Sequence, residues 1–293
     1  MHKRIVEAVA AIEQETNGAV TIQVFSNSQL GSSVDMFSQV RSGALDMMTV
    51  STPLGNTTQI AAIPATAFVF PTIEKAWEAM DGSLGQHLRE VVSDQLGIFM
   101  FERIWDFGGY RHMTTSTKPI TVPEDLRGMK IRLPVSPLYN STFQAFGAAP
   151  VSINYVEVYP ALQTGVADGM ECPLALIDTG RFYEVQKYCS LTGHMWDPVT
   201  MVANGRTWEN VPAELRDVII RHMSEAALKQ RADSVELNVT LQQQMSEKGL
   251  IFNDVDRAPF REALREAGYY AEWKSKFGDE AWAELERYTG SLT

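Results

Sequence analysis

"PEDLRGMKIRLPVSPLYNSTFQAFG", residues 123–147, reads as a turn of helix, a short strand and a second helix. In "MKIRLP" (129–134), Ile131 and Leu133 want an apolar surface on one face, and Pro134 lacks an N–H and closes the ladder. Ser136 suits the cap of the following helix, Pro137 its first turn and Gly147 its stop. Arg132 points away from Ile131 and Leu133, just where the strand is about to end. A guanidinium there is a surface charge, half of a structural ion pair with Glu171 or Asp168, or a grip for an anionic ligand. The strand alone leaves all three open.

Working outward, the same alternation recurs. "HKRIVEAVAAIEQETNG" is a helix with Ile5, Val9 and Ile12 on one face, and "AVTIQVF" (19–25) alternates like a strand. "SVDMFSQVRSG" is a helix and "ALDMMTVS" a strand; a helix over roughly 73–96 precedes the strand-like "GIFMFERIW". Later come "VEVYPALQTG" as helix, "ADGMECP" as turn and strand, "RFYEVQKYCSLTGH" as helix and strand, and "VTMVAN" as strand. Helix–strand alternation of this kind predicts a mostly parallel α/β sheet. From Ala213 to Lys248 a helical pattern runs with no proline or glycine, a span on the order of 50 Å. Its apolar seam is not a sustained heptad, so the expected role is a strut across two lobes.

The bulk numbers narrow the partners. The chain has 293 residues, a soft prior for about two domains. A net charge of −11 and a pI near 5.0 disfavour nucleic acid and anionic membrane, so an anionic ligand needs a local positive site. No stretch approaches the ~20 apolar residues of a membrane span. Two cysteines, Cys172 and Cys189, exclude a multi-cysteine zinc site; they either pair or stand as separate thiols.

No metal-ligand spacing, nucleophile elbow or phosphate loop is present, which leaves Cys172 as the one plausible nucleophile with no base placed beside it. The positive candidates lie at strand ends, where open α/β sheets bind ligands. They are Arg132, Arg111 in "FGGYRHMTTS", Ser51 and Thr52 after "MMTV", the "GMEC" segment, and Trp196 in "GHMW". Against these stand plainer readings: a solvated Arg111, a core Trp196, and His194 as a helper in a loop network.

"PITVPEDLRGMKIRLPVSPLY" followed by "FGAAPVSINYVEVYPALQTGVADGMECPL" resembles the DctP-type substrate-binding proteins of TRAP (tripartite ATP-independent periplasmic) transporters. "TNGAVTIQVFSNSQLGSSVDMFSQVRSGALDMMTVST", "FYEVQKYCSLTGH" and "VPAELRDVI" extend the likeness over essentially the whole chain. The resemblance implies a two-lobed α/β periplasmic receptor, not an enzyme, with a long helix spanning both lobes. The implied lobes are residues 1–108 with 197–236, and 109–196 with 237–293, bridged by the helix at about 213–248. Such a receptor closes on a small organic acid and delivers it to the membrane subunits of the transporter; no cofactor and no metal ligand is expected, the sequence does not decide whether a metal ion assists binding, and the charge already disfavours nucleic acid. In the family the arginine matched by Arg132 holds the ligand carboxylate, and the one matched by Arg111 often assists. An ABC-type receptor is one alternative, and an enzyme acting on a carboxylate through Cys172 or Glu171 is another.

Three departures from the family pattern shape the expected site. The usual "QEN" is "MEC", so Met170 and Cys172 replace two amides on one strand face, with Glu171 between them. A face without amides predicts a ligand less polar than a sugar acid: a short keto or hydroxy acid, or an aromatic acid stacking on Trp196 or Tyr155. Val156 replaces the serine that caps the next helix, with Asn154 as its substitute. Met1 falls almost on the first helix, so the family's first apolar strand and the signal peptide are expected to be missing from lobe one.

Overall fold

The computed structural model describes residues 1–292; Thr293, the last residue of the second expected lobe, lies outside the described residues. The chain opens with α1 (His2–Glu15), α2 (Ser33–Ser42), β1 (Met47–Val50) and α3 (Thr52–Thr57). Next are α4 (Ile73–Asp81), α5 (Ser83–Leu96), β2 (Ile98–Met100), β3 (Trp105–Thr115), β4 (Lys130–Leu133), α6 (Pro137–Ala145) and β5 (Ala149–Ser152). Then follow α7 (Val158–Gln163), β6 (Gly169–Pro173), α8 (Leu174–Thr179), β7 (Tyr188–Asn204), α9 (Gly205–Glu209) and α10 (Ala213–Glu247). β8 (Ile251–Asp254), α11 (Ala258–Glu266), α12 (Tyr269–Phe277) and α13 (Asp279–Thr289) complete it.

Two lobes share one continuous ladder. The strand order is β1-β7-β3-β6-β4-β5, with β2 and β8 also on β7. One end of β7 carries β1 (Met47↔Ala203 to Val50↔Thr200) and β2, and the other end carries β3 and β8. The expected mostly parallel sheet is corrected to a mixed one. β4 lies parallel to β5 and β6, and β8 parallel to β7, but β1, β2 and β3 are antiparallel to β7, as β3 is to β6. The cause is connectivity: β3 and β7 cross between lobes in opposite senses, so they meet head to tail. "KYCSLTGH" and "VTMVAN" are accordingly halves of one strand of 17 residues.

Pro198 sits inside β7 because the pairing is already irregular there. Between Asp106↔Pro198 and Tyr110↔Trp196 the β3 strand bulges, and Gly108 and Gly109 take φ of +114° and +87°, which favour glycine. The Asp106 carboxylate fastens the bulge. Its Oδ1 accepts from the Gly108 and Gly109 amides at 2.7 and 2.6 Å, and its Oδ2 from the indoles of Trp77 and Trp196 at 3.0 Å each. From α10, Gln230 bonds both the amide and the carbonyl of Asp106, and Asn238 donates to the Gly108 carbonyl at 2.6 Å. The long helix is as expected, 35 residues with no break, and it is tied directly to the crossing point.

Other expectations are revised. Residues 19–25 form no strand. Val20, Ile22 and Val24 are half-buried and alternate with exposed Thr21, Gln23 and Phe25, so the alternation is present without a ladder. The outer edge of β1 likewise has no partner among the described residues. The single helix expected over 73–96 is two, broken at Gly82. Ser136 and Asn154 occupy N-cap positions but accept no capping bond from their helices. Cys172 and Cys189 are separate, buried thiols.

Candidate functional site

A cleft of about 500 Å³ opens between the lobes, and its wall includes Arg132, Arg111, Cys172, Tyr155, Ser51 and Thr52. Six of the nine residues expected at the site therefore share one cavity. Its other end runs into the gap between the free edge of β1 and residues 22–26, so not all of that volume is ligand space. Asn56 on α3 donates to the Val135 carbonyl beyond β4 and ties the two rims together.

Arg132 comes from the end of β4, a strand paired on both sides, which fixes its backbone. Only 3% exposed, it is no surface charge. Its Nε and Nη2 both donate to the Ile153 carbonyl, at 2.9 and 2.6 Å. Among the described residues it makes no ion pair. The Asp168 carboxylate instead accepts from the Lys130 amide at 2.9 Å, and Glu171 is taken by Arg111. Burial lowers the Arg132 guanidinium from its ordinary range, yet an arginine stays charged throughout.

Arg111, on β3, is also 3% exposed, which overturns its reading as a solvated arginine. Its guanidinium forks onto the Glu171 carboxylate, with Nη2 2.8 Å from Oε1 and Nε on Oε2, and lies 5.1 Å from the Tyr139 ring centre. Glu171 is fully buried and sits behind the cleft wall. Burial pushes its carboxyl up, but Arg111 and His194 outweigh this and hold it at about 2. His194 Nε2 is 3.2 Å from Glu171 Oε2, and its Nδ1 is 2.7 Å from the Thr192 hydroxyl. Burial lowers His194 despite Glu171, so the neutral ring donates to Glu171 and accepts from Thr192. The expectation of His194 as a network helper agrees with this placement.

Three expected contacts need correction. Met170 is fully buried among Val158, Leu162, Leu174 and Ile177, because its position deeper in β6 faces the helices that cover the sheet. Cys172 shares that face but lies at the carboxyl end of β6, where the cleft begins. Glu171 reaches the cleft only through Arg111. Trp196 is 1% exposed, set edge-on to Phe70 at 6.1 Å and bonded to Asp106; it is core and cannot stack on a ligand. Tyr155 keeps the aromatic role open, with its ring on the wall and its hydroxyl donating to the Leu176 carbonyl at 2.9 Å.

Sequence reasoning missed Asn56, Val135, Leu176 and Thr179, which also line the cleft. Val135 and Asn56 follow strands β4 and β1 closely, so the strand-end rule could have reached them; Leu176 and Thr179 lie on α8 and carried no local signal.

Comparison with known proteins agrees with this geometry. A family model described as "Bacterial extracellular solute-binding protein, family 7" matches residues 1–275. The 2,3-diketo-L-gulonate-binding periplasmic protein of Escherichia coli is 30% identical over 256 residues, covering 86% of this chain and 77% of that one. A TRAP periplasmic solute-binding protein from Roseobacter denitrificans, solved with bound β-D-glucuronate, superimposes with a TM-score of 0.93 at 26% identity, covering 99% and 95%. Another from Sulfurospirillum deleyianum, with bound succinate, gives 0.89 at 26% identity, covering 97% and 93%. The family consists of receptors rather than enzymes, which sets aside catalysis by Cys172 or Glu171, and its TRAP membership sets aside the ABC-type alternative. It is a periplasmic family, and among the described residues no helix is long and apolar enough to cross a membrane. The shared cleft, the crossing strands and the long helix are thus those of a known lineage, and this chain belongs to the DctP family of TRAP-type solute-binding proteins.

Proposed function

We propose that the protein takes up a small organic carboxylate in this cleft, with Arg132 as the principal grip and Arg111 as a fixed companion, and delivers it to the membrane subunits of a TRAP transporter. The observation that carries this reading is Arg132 itself: a buried cation on the cleft wall, anchored to a carbonyl and making no ion pair among the described residues. A buried charge without a counterion is costly, and a carboxylate ligand supplies one through parallel charge-assisted hydrogen bonds. Each such bond contributes about 1.5–3 kcal/mol net. Micromolar binding needs about 8 kcal/mol, so closure of the lobes has to recruit further contacts such as Ser51, Thr52 and Tyr155. The lobes we assign are 1–108 with 197–236, and 109–196 with the residues from 237 onward.

The finer preference for a keto, hydroxy or aromatic acid over a sugar acid now rests on less. Met170 is core, so only Cys172 remains of the missing amides, supported by Val135, Leu176 and the ring of Tyr155 on the wall. The glucuronate held by the Roseobacter protein makes a hexuronate the natural competitor. Calorimetric titration with D-glucuronate, 3-hydroxybutyrate and phenylpyruvate tests this, and tighter binding of the hexuronate would overturn the preference. Repeating the titration of the best binder on Arg132→Lys tests the grip; unchanged affinity there would show that Arg132 is structural.

A further inference from the structure

We infer that the cleft is built for a ligand carrying a single negative charge, a monocarboxylate rather than a dicarboxylate. The inference rests on Arg132 as the ligand's grip and concerns how much charge the site can hold. Two guanidiniums line the cavity, but they are not equivalent counterions. Arg111 is forked onto a fully buried carboxylate, so Arg111 and Glu171 form a neutral unit. Arg132 meets only a carbonyl. Among the described residues no Asp, Glu or Lys side chain lines the cleft; the other basic groups of lining residues are the exposed His2 side chain and the Met1 amino group, both at the α1 end, where Asp233 faces the amine.

The remaining groups near the arginines add no positive charge. Tyr155 and Cys172 carry none, and His194, behind Glu171, is held neutral by burial. The chain as a whole is at −11, so its wider field repels a second carboxylate rather than drawing it in. A dianion would place its second charge among Val135, Leu176 and Tyr155 with no cation to meet it. The succinate of the Sulfurospirillum protein shows that the same fold accommodates dicarboxylates elsewhere, so the discrimination belongs to these side chains and not to the architecture.

The test is calorimetric titration of the full chain with matched pairs: D-gluconate against D-glucarate, 4-hydroxybutyrate against succinate, and 3-phenylpropanoate against 1,4-phenylenediacetate. The monocarboxylate of a bound pair is expected to win by about tenfold or more. A dicarboxylate that binds as well or better overturns the charge count while leaving the receptor reading intact. Failure of every acid to bind overturns the receptor reading and the inference with it. Glu171→Gln unmasks Arg111, so the ratio is expected to move about tenfold toward the dicarboxylate. An unmoved ratio in a variant with native circular dichroism also overturns the inference, and the matched pairs on the native protein decide the matter if the variant does not fold.

Discussion

Arg111 and Arg132 make the instructive comparison. Both stand on strands that flank β6, both are 3% exposed, and both reach the same cleft. Yet one is closed upon an internal acid and the other is held only by a carbonyl. The first region is built for stability, with Arg111, Glu171, His194 and Thr192 satisfying one another in turn. The second is left incomplete in charge, which is what a binding site requires. Two buried arginines of equal exposure thus differ in what they are bonded to, a carboxylate in one case and a carbonyl in the other.

Breaking the first region is expected to have the largest effect. Arg111→Met leaves the buried Glu171 carboxylate without its cation and with the His194 ring as its remaining side-chain partner, with an expected loss of about 3–5 kcal/mol in urea denaturation. If the variant is as stable as the native chain, the contrast between the two arginines is lost. Acid probes the same region next. His194 is held neutral by burial, as is His112, which burial first and then His194 and Arg257 lower to about 3. In the unfolded chain each takes up a proton below about 6.5, whereas in the folded state each resists it. Stability is therefore full above that pH and falls as pH drops, by up to about 1.4 kcal/mol per unit for His112, with a further loss in the same direction from His194. Glu171, depressed to about 2, adds a loss in the same direction below about 4.5. A flat melting temperature from pH 7 to pH 5 would contradict the neutral rings.

The second region is expected to answer oppositely. Arg132→Lys keeps the charge and loses the fork, so affinity for the best carboxylate should fall about 100-fold, near 2.7 kcal/mol, with stability almost unchanged. A large loss of stability instead would place Arg132 with Arg111. The smallest effect belongs to the rim. Asn56→Ala removes one hydrogen bond to the Val135 carbonyl, worth about 0.5–1.5 kcal/mol. The expected result in stopped-flow binding is faster release with an unchanged association rate.

How much of this was legible in the chain depends on range. The strand of Arg132, the helix opened by Pro137 and the unbroken span of α10 are local patterns, and each is found where periodicity and turn chemistry place it. The direction of β7 was not legible, because Gly193 and Pro198 look like breaks until the two register shifts between β3 and β7 are known. The partner of Glu171 was left open for a related reason, with Arg132 the one arginine weighed for it. Arg111 and Arg132 flank it on neighbouring strands, and only the register Arg111↔Pro173 against Arg132↔Met170 decides which one it meets. Trp196 and Met170 were drawn toward the site by sequence proximity, whereas strand alternation and depth within the ladder turned them into the core. The alternation of residues 20–25 was read as a strand; the burial does alternate there, but alternation becomes a strand only when a neighbouring edge is there to bond it.

The knot at Asp106 has a mechanical consequence. Two crossing strands and the long helix are fastened to the same few atoms, so a change of angle between the halves of the sheet cannot leave α10 behind. That fastening lies near Gln230, close to the helix midpoint, with arms of roughly 25 Å on either side packed on separate cores. A tilt of only about 10° there would swing each tip by roughly 4 Å, given the ~1.5 Å rise per residue that sets those arms. Because each arm is packed on its own core, the angle between the halves of the sheet and the angle between those cores are tied through one helix.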